Sequence, residues 1–210
     1  MSQRKRRRGS GGPHDRREDM KGWVHVCIKL QRCLPSLRRA KEFELLEERF
    51  RLVKERFGCK LRQFSVQSDH IHLVIETDTT SDLSRYMQGL QIRFAKALNK
   101  LWRRTGRVFA DRFYASLCHS LQKLRATIRY VLNNGQRHGA WDPLTNRPDP
   151  YSSGPWYVRW RGKAWSRYRE PEHRWPIVHP NGLDCCYHHY PVADPGETPG
   201  WAVRARYANA

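Results

Sequence analysis

The chain has 210 residues, with 40 Lys and Arg against 20 Asp and Glu, a formal net charge of +20 at pH 7. That length allows one well-cored domain with appendages. No stretch reaches the 18 apolar residues of a membrane span, and the basic N-terminus lacks the apolar segment of a secretory signal, so no membrane partner is expected. The charge is unevenly placed, since residues 1–139 hold 31 of the basic and 13 of the acidic residues. An excess of this kind fits nucleic acid, because neutralising phosphates releases counterions and drives binding without sequence specificity. The six cysteines (Cys27, Cys33, Cys59, Cys118, Cys185 and Cys186) form no C-x-x-C pair. That argues against a disulfide framework or a cysteine zinc site and for a reducing cytoplasm. Cys185, Cys186, His188 and His189 crowd together, but adjacent ligands pack a tetrahedral site poorly.

Residues 1–21 carry the run Arg4, Lys5, Arg6, Arg7 and Arg8, followed by a Gly/Ser-rich hinge. Like charges beside such a hinge predict a disordered tail that can lie on a phosphate backbone as a basic arm. Order is expected from residue 22. Val24, Val26 and Ile28 alternate with Trp23, His25, Cys27 and Lys29, the period of a half-buried strand. Ser36 then caps a long predicted helix striped by Leu37, Ala40, Phe43, Leu46, Phe50, Val53 and Phe57, which Gly58 stops. Strands over 60–67 and 70–76 follow, joined by a tight turn at Ser68 and Asp69. Thr80 or Ser81 caps a second helix with Leu83, Met87, Leu90, Phe94, Ala97 and Leu101 on one face. A further strand falls within 108–118, and a third helix runs from a cap at Ser120 to Gly135.

The order β-α-β-β-α-β with a terminal helix predicts an α+β ferredoxin-like (RRM-like) antiparallel sheet with helices on one face. The other face is then free for ligand. Residues 22–139 form this domain, and 140–210, rich in Pro, Trp, Arg and Tyr, read as an irregular C-terminal extension.

Two constellations carry chemistry. In the strand His70-Ile71-His72-Leu73-Val74-Ile75-Glu76, residues two apart share a face. The two imidazoles therefore project together, opposite Ile71, Leu73 and Ile75, from Cα positions roughly 7 Å apart. An H-x-H pair is common by chance, so its weight comes from pointing away from the presumed core. The second is Tyr130-Val131-Leu132-Asn133-Asn134. With Leu121, Leu124, Ile128 and Val131 as the buried stripe, about 100° per residue turns Tyr130 and Asn134 onto a shared face away from it.

Ser68-Asp69-His70-Ile71-His72-Leu73, Met87-Gln88-Gly89-Leu90, Gly106-Arg107-Val108-Phe109-Ala110-Asp111-Arg112-Phe113 and Tyr130-Val131-Leu132-Asn133-Asn134 occur in that order. Together they resemble the REP-associated tyrosine transposases, relatives of the insertion-sequence transposases with an HUH motif, over about residues 22–139. Asp149-Pro150-Tyr151-Ser152-Ser153 with Trp156 resembles the stretch after the catalytic domain in that family. Gly135 stands where the family commonly has proline.

The resemblance implies that His70, His72 and Asn134 bind a divalent metal, Mg²⁺ or Mn²⁺, and that Tyr130 is the nucleophile. A free tyrosine is only roughly 0.1% phenolate at pH 7, a deficit of about 4 kcal/mol, so such a route needs a cation or a positioned phosphate. The implied product is a 5′-phosphotyrosine with a free 3′-hydroxyl, and the implied partner is single-stranded DNA beside a small hairpin. Arg112, Lys123, Arg129 and Arg137 would guide the backbone. Relatives act as monomers or homodimers. A non-catalytic nucleic-acid-binding relative of the same fold is the competing expectation, but the outward positions Gln63, Ser65, Gln67, His70 and His72 lack the aromatics of an RNA-binding sheet. A replication-initiator or relaxase-type nickase would share the chemistry in a different role.

Overall fold

The computed structural model describes residues 19–142 and 148–157. The elements run β1 (Gly22–Lys29), α1 (Ala40–Val53), β2 (Glu55–Arg56), β3 (Cys59–Val66), β4 (His70–Thr77), α2 (Thr80–Leu101), β5 (Tyr114–Leu117), α3 (Leu121–Leu132) and α4 (Asn134–Arg137), with a 3-10 turn at Gly154–Trp156. The sheet has the order β2-β3-β4-β1-β5, and every pairing is antiparallel. Leaving aside the two-residue β2, this is the ferredoxin-like order, with β1 and β4 central.

Alternation divides the sheet into two faces. Val24, Val26 and Ile28 of β1 and Ile71, Leu73 and Ile75 of β4 join Leu46 and Phe50 of α1 and Leu83, Met87, Leu90 and Phe94 of α2 in the main core. Phe50 stacks on Phe64 at 4.7 Å and meets Phe94 edge-on at 5.2 Å. Such aromatic pairs contribute roughly 0.5–1.5 kcal/mol beyond the area they bury. The opposite face is not open. Val74 of β4 packs with Leu124, Ile128, Val131 and Leu132 of α3 and with Tyr157 in a second cluster. Two helices thus cover one face as the element order predicts, while the terminal helix lies over part of the other.

Helix limits follow local chemistry. Ser120 Oγ accepts from the Lys123 amide at 3.1 Å and starts α3. Thr79 does the same for α2 through the Asp82 amide, one residue before the predicted cap. Ser36 does not cap α1. Its Oγ accepts from the Arg38 amide in a turn, and the helix begins after Arg39 without a side-chain cap. The helix also ends at Val53, short of the predicted Phe57. Phe57 and Gly58 both have positive φ, 52° and 69°, and turn the chain so that Glu55 and Arg56 pair with Lys60 and Cys59. Two successive positive-φ residues match the right-handed twist of a hairpin, which a continued helix could not supply.

Met20 is buried, and its amide donates to Thr80 Oγ1 at 2.8 Å. Residues 148–157 dock beside β3, where the short β2 leaves an unpaired edge. The Val66 amide donates to the Tyr151 carbonyl at 2.8 Å and the Ser153 amide to the Phe64 carbonyl at 2.9 Å. Arg38 donates to both carboxylate oxygens of Asp149 at 2.9 Å, closing this segment onto the start of α1. The predicted tail 1–18, the remainder of the extension and the Cys185–His189 cluster lie outside the described residues.

Candidate active site

The site sits on the α3 side of the sheet. His70 and His72 project from β4 with ring centroids 4.9 Å apart and planes nearly perpendicular. A third imidazole joins them. In β1, Cys27 lies opposite His72 and His25 opposite Val74, so His25 is the diagonal same-face neighbour of His72. His25 Nε2 and His72 Nδ1 are 3.1 Å apart, and the rings stack at 5.1 Å. His70 has its own partner, with Nδ1 2.7 Å from Asp69 Oδ1. That hydrogen bond holds the Asp69 carboxyl below its ordinary range.

Tyr130 closes the site from α3. Its half-buried ring stands edge-on to His72 at 5.2 Å and to His25 at 5.8 Å, with the Arg137 guanidinium 5.0 Å from its centroid. The chain then breaks stride at Asn133 (φ −95°, ψ 9°) and resumes as α4. His138, which caps α4, meets His70 at 5.1 Å. The segment carrying Asn134 is thereby pinned to the histidines at both ends. Asn134 itself is wholly buried rather than outward beside Tyr130, because α3 and α4 turn this face toward the sheet instead of toward water.

Burial keeps the His25 and His72 imidazoles neutral. Burial, reinforced by the cationic tendencies of His25, His70, His138 and Arg137, pushes His72 down to about 3. Burial, with Lys123 nearby, pushes His25 down to about 4. Neutral imidazole is the metal-binding form. His72 Nε2 and both amide atoms of Asn134 are buried without a hydrogen-bond partner. Orphaned polar atoms of this kind cost roughly 1–3 kcal/mol each, which a bound cation and its waters would offset. Among the described residues no group of three or more His, Cys, Asp or Glu is placed to hold a metal. His70, His72 and the Asn134 amide are nitrogen and oxygen donors of the type a divalent ion accepts.

The cationic residues separate. Lys123, Arg129 and Arg137 are exposed along α3 and α4, and Lys123 and Arg137 act electrostatically on His25 and His72. Arg112 is also exposed, but it lines a groove with Gln88, Gln91 and Ile92 of α2, the helix of the opposite face. Arg4, Lys5, Arg6, Arg7 and Arg8 lie outside the described residues. Sequence reading missed His25 and His138. The signal for His25 was available, since it alternates with Val24 and Val26 and the element order puts its strand beside the His70–His72 strand. Nothing comparable marked His138.

Fold and site together define a ferredoxin-like α+β domain whose central strand carries paired histidines beneath a tyrosine-bearing helix. The family model of IS200-like transposases matches residues 20–134, and the chain belongs to that family. Among solved structures it is similar to a REP-associated tyrosine transposase bound to a REP hairpin. That match has 17% identity and a TM-score of 0.58, and it covers 73% of this chain and 93% of the other. A transposase-like protein from Deinococcus radiodurans matches at 15% identity and a TM-score of 0.41, over 59% of this chain and 97% of that one. At 17% identity the likeness to the hairpin-bound transposase is one of fold. No curated protein sequence matches the chain.

Proposed function

We propose that this transposase is of the REP-associated, single-tyrosine kind, cutting and rejoining single-stranded DNA beside a hairpin through Tyr130. The observation that carries the reading is the edge-on packing of the Tyr130 ring against His72, 5.2 Å between centroids, within one chain. Tyr130 Oη attacks the scissile phosphorus, the phosphorus–O3′ bond breaks, and the departing 3′ oxygen takes up a proton as the phenol loses one. The product is a 5′-phosphotyrosine and a free 3′-hydroxyl. Reversal onto another 3′ end joins strands without ATP, because the covalent link conserves the bond.

His70, His72 and Asn134 would hold Mg²⁺ or Mn²⁺, which when bound polarises the scissile phosphate and stabilises charge in the transition state. Asp69 and His25 orient the two imidazoles. Arg137, over the Tyr130 ring, and Lys123 draw the phosphate backbone toward the nucleophile. The catalytic domain spans residues 22–139, and the reaction belongs in the cytoplasm, where free thiols such as Cys27 and Cys118 persist. The non-catalytic binder is disfavoured, since Gln63, Ser65 and Gln67 of the supposed open sheet face are buried.

The test is to incubate the protein with labelled hairpin DNA and Mn²⁺ and to look for a covalent adduct on a denaturing gel. Wild type forms it and Tyr130→Phe does not. Equal adduct from both proteins would remove Tyr130 from the mechanism.

A further inference from the structure

His25 belongs to none of the motifs that carry the family resemblance, yet it makes the one hydrogen bond to the His72 ring among the described residues. We infer that His25 is a positioning residue whose Nε2 accepts the Nδ1–H of His72 and so fixes the tautomer in which His72 Nε2 carries a free lone pair. This rests on the reading of His72 as a metal ligand and deepens it.

The argument is one of proton placement. A neutral imidazole has one N–H and one lone pair, and the bond made by one nitrogen decides which the other carries. The 3.1 Å contact between His25 Nε2 and His72 Nδ1 permits two arrangements. If His25 donates, the His72 proton sits on Nε2, a buried atom with no acceptor in reach. If His25 accepts, His72 Nε2 presents a lone pair to the same buried space, as a ligand must. His70 shows the same arrangement by a shorter route, with Nδ1 engaged by Asp69 at 2.7 Å. Each paired histidine therefore has its own orienting partner, a carboxylate next in sequence for one and an imidazole from the neighbouring strand for the other.

Two other roles for His25 fit less well. It does not complete a three-histidine ligand set, since no group of three His, Cys, Asp or Glu is placed to bind a metal among the described residues. It also stands edge-on to the Tyr130 ring at 5.8 Å, with its Nε2 already committed to His72. A base accepting the phenolic proton through Nε2 would have to abandon that bond.

The test has two readouts independent of DNA cleavage. Long-range ¹⁵N–¹H correlation spectra of the metal-free protein should place the His72 proton on Nδ1 in wild type and move it in His25→Leu. Mn²⁺ affinity without DNA, read from the free-ion paramagnetic resonance signal, should weaken about 10–100-fold in His25→Leu, the usual effect of losing a ligand's orienting partner. His25→Gln, whose amide oxygen reaches the position of Nε2, should restore most of it. A wild-type His72 proton on Nε2 would overturn the inference, as would a His25→Gln loss of affinity equal to that of His25→Leu. Should His25→Leu not fold, the wild-type spectrum and His25→Gln decide alone. The His72→Ala control separates the two levels. If it leaves Mn²⁺ affinity unchanged, the metal site itself is wrong. If it abolishes binding while His25→Leu matches wild type, only the role of His25 falls.

Discussion

Gly135 and Asp149 touch so closely that a Cβ on Gly135 would stand 2.1 Å from Asp149 Oδ2. The contact joins the segment after the domain to the short helix that begins with Asn134. Asp149 has little room to retreat, because Arg38 holds both its oxygens and the pair is 2% and 9% exposed.

Gly135→Ala is therefore expected to destabilise the fold by displacing Asp149 from Arg38. Breaking one side of a buried ion pair costs about 3–5 kcal/mol. Asp149→Ala should cost a similar amount. Because both act on one contact, the double variant should lose much less than the sum. Urea unfolding of the three variants measures this, and additive losses would show that the two residues act separately.

Stability should also fall in acid through the imidazoles. His72 and His25 are held down to about 3 and about 4, whereas in the unfolded chain each protonates near 6.5. Between those values the unfolded chain binds more protons, so stability present above about pH 6.5 drains away as pH drops toward 4. The slope is at most about 1.4 kcal/mol per pH unit for each histidine. Urea melts of metal-free protein at pH 7, 5.5 and 4.5 should show it, with a shallower dependence in His72→Ala. An equal slope in that variant would mean other groups govern the acid transition.

Much of this was legible beforehand, and for a physical reason. Period-two and period-3.6 patterns report which face of an element is buried, so His70 and His72 could be placed opposite Ile71, Leu73 and Ile75 from the chain alone. What a pattern cannot report is which partner covers a face. Asn134 read as outward because helix geometry was extended through Asn133, where the helix breaks, and because nothing local showed α3 lying against the sheet. Arg112 read as part of the site for a similar reason. It precedes β5 in sequence, but tertiary packing places it against α2. His25 lay in plain view on an alternating strand, and only pairing across 47 positions gave it a meaning.

Arg137 offers a test of how the strand is guided. It is exposed, yet its guanidinium sits 5.0 Å from the centroid of the Tyr130 ring. If it contacts one phosphate of the single strand, Arg137→Ala should weaken DNA binding at all sequences alike. It should also lower the slope of log affinity against log salt by about 0.7. Fluorescence anisotropy over a salt series measures both, and an unchanged slope would mean the residue only packs on Tyr130.

The placement of Tyr130 and His72 in one chain makes a sharper prediction about assembly. Where the tyrosine helix swaps between subunits, a site is built from two chains, and mixing a protein lacking the tyrosine with one lacking the histidine regenerates a complete site. Here the ring of Tyr130 already stands against His72 of its own chain, and Leu124, Ile128 and Val131 of its helix are buried against Val74 on the same sheet. Exchanging α3 would expose that cluster in transit, at a cost of roughly 1.5–3 kcal/mol for each large apolar side chain uncovered. A mixture of Tyr130→Phe and His72→Ala should therefore form no adduct with hairpin DNA in Mn²⁺, while each variant still binds the hairpin. Adduct recovered on mixing, to about the fraction of mixed pairs, would show that the nucleophile is delivered across a dimer.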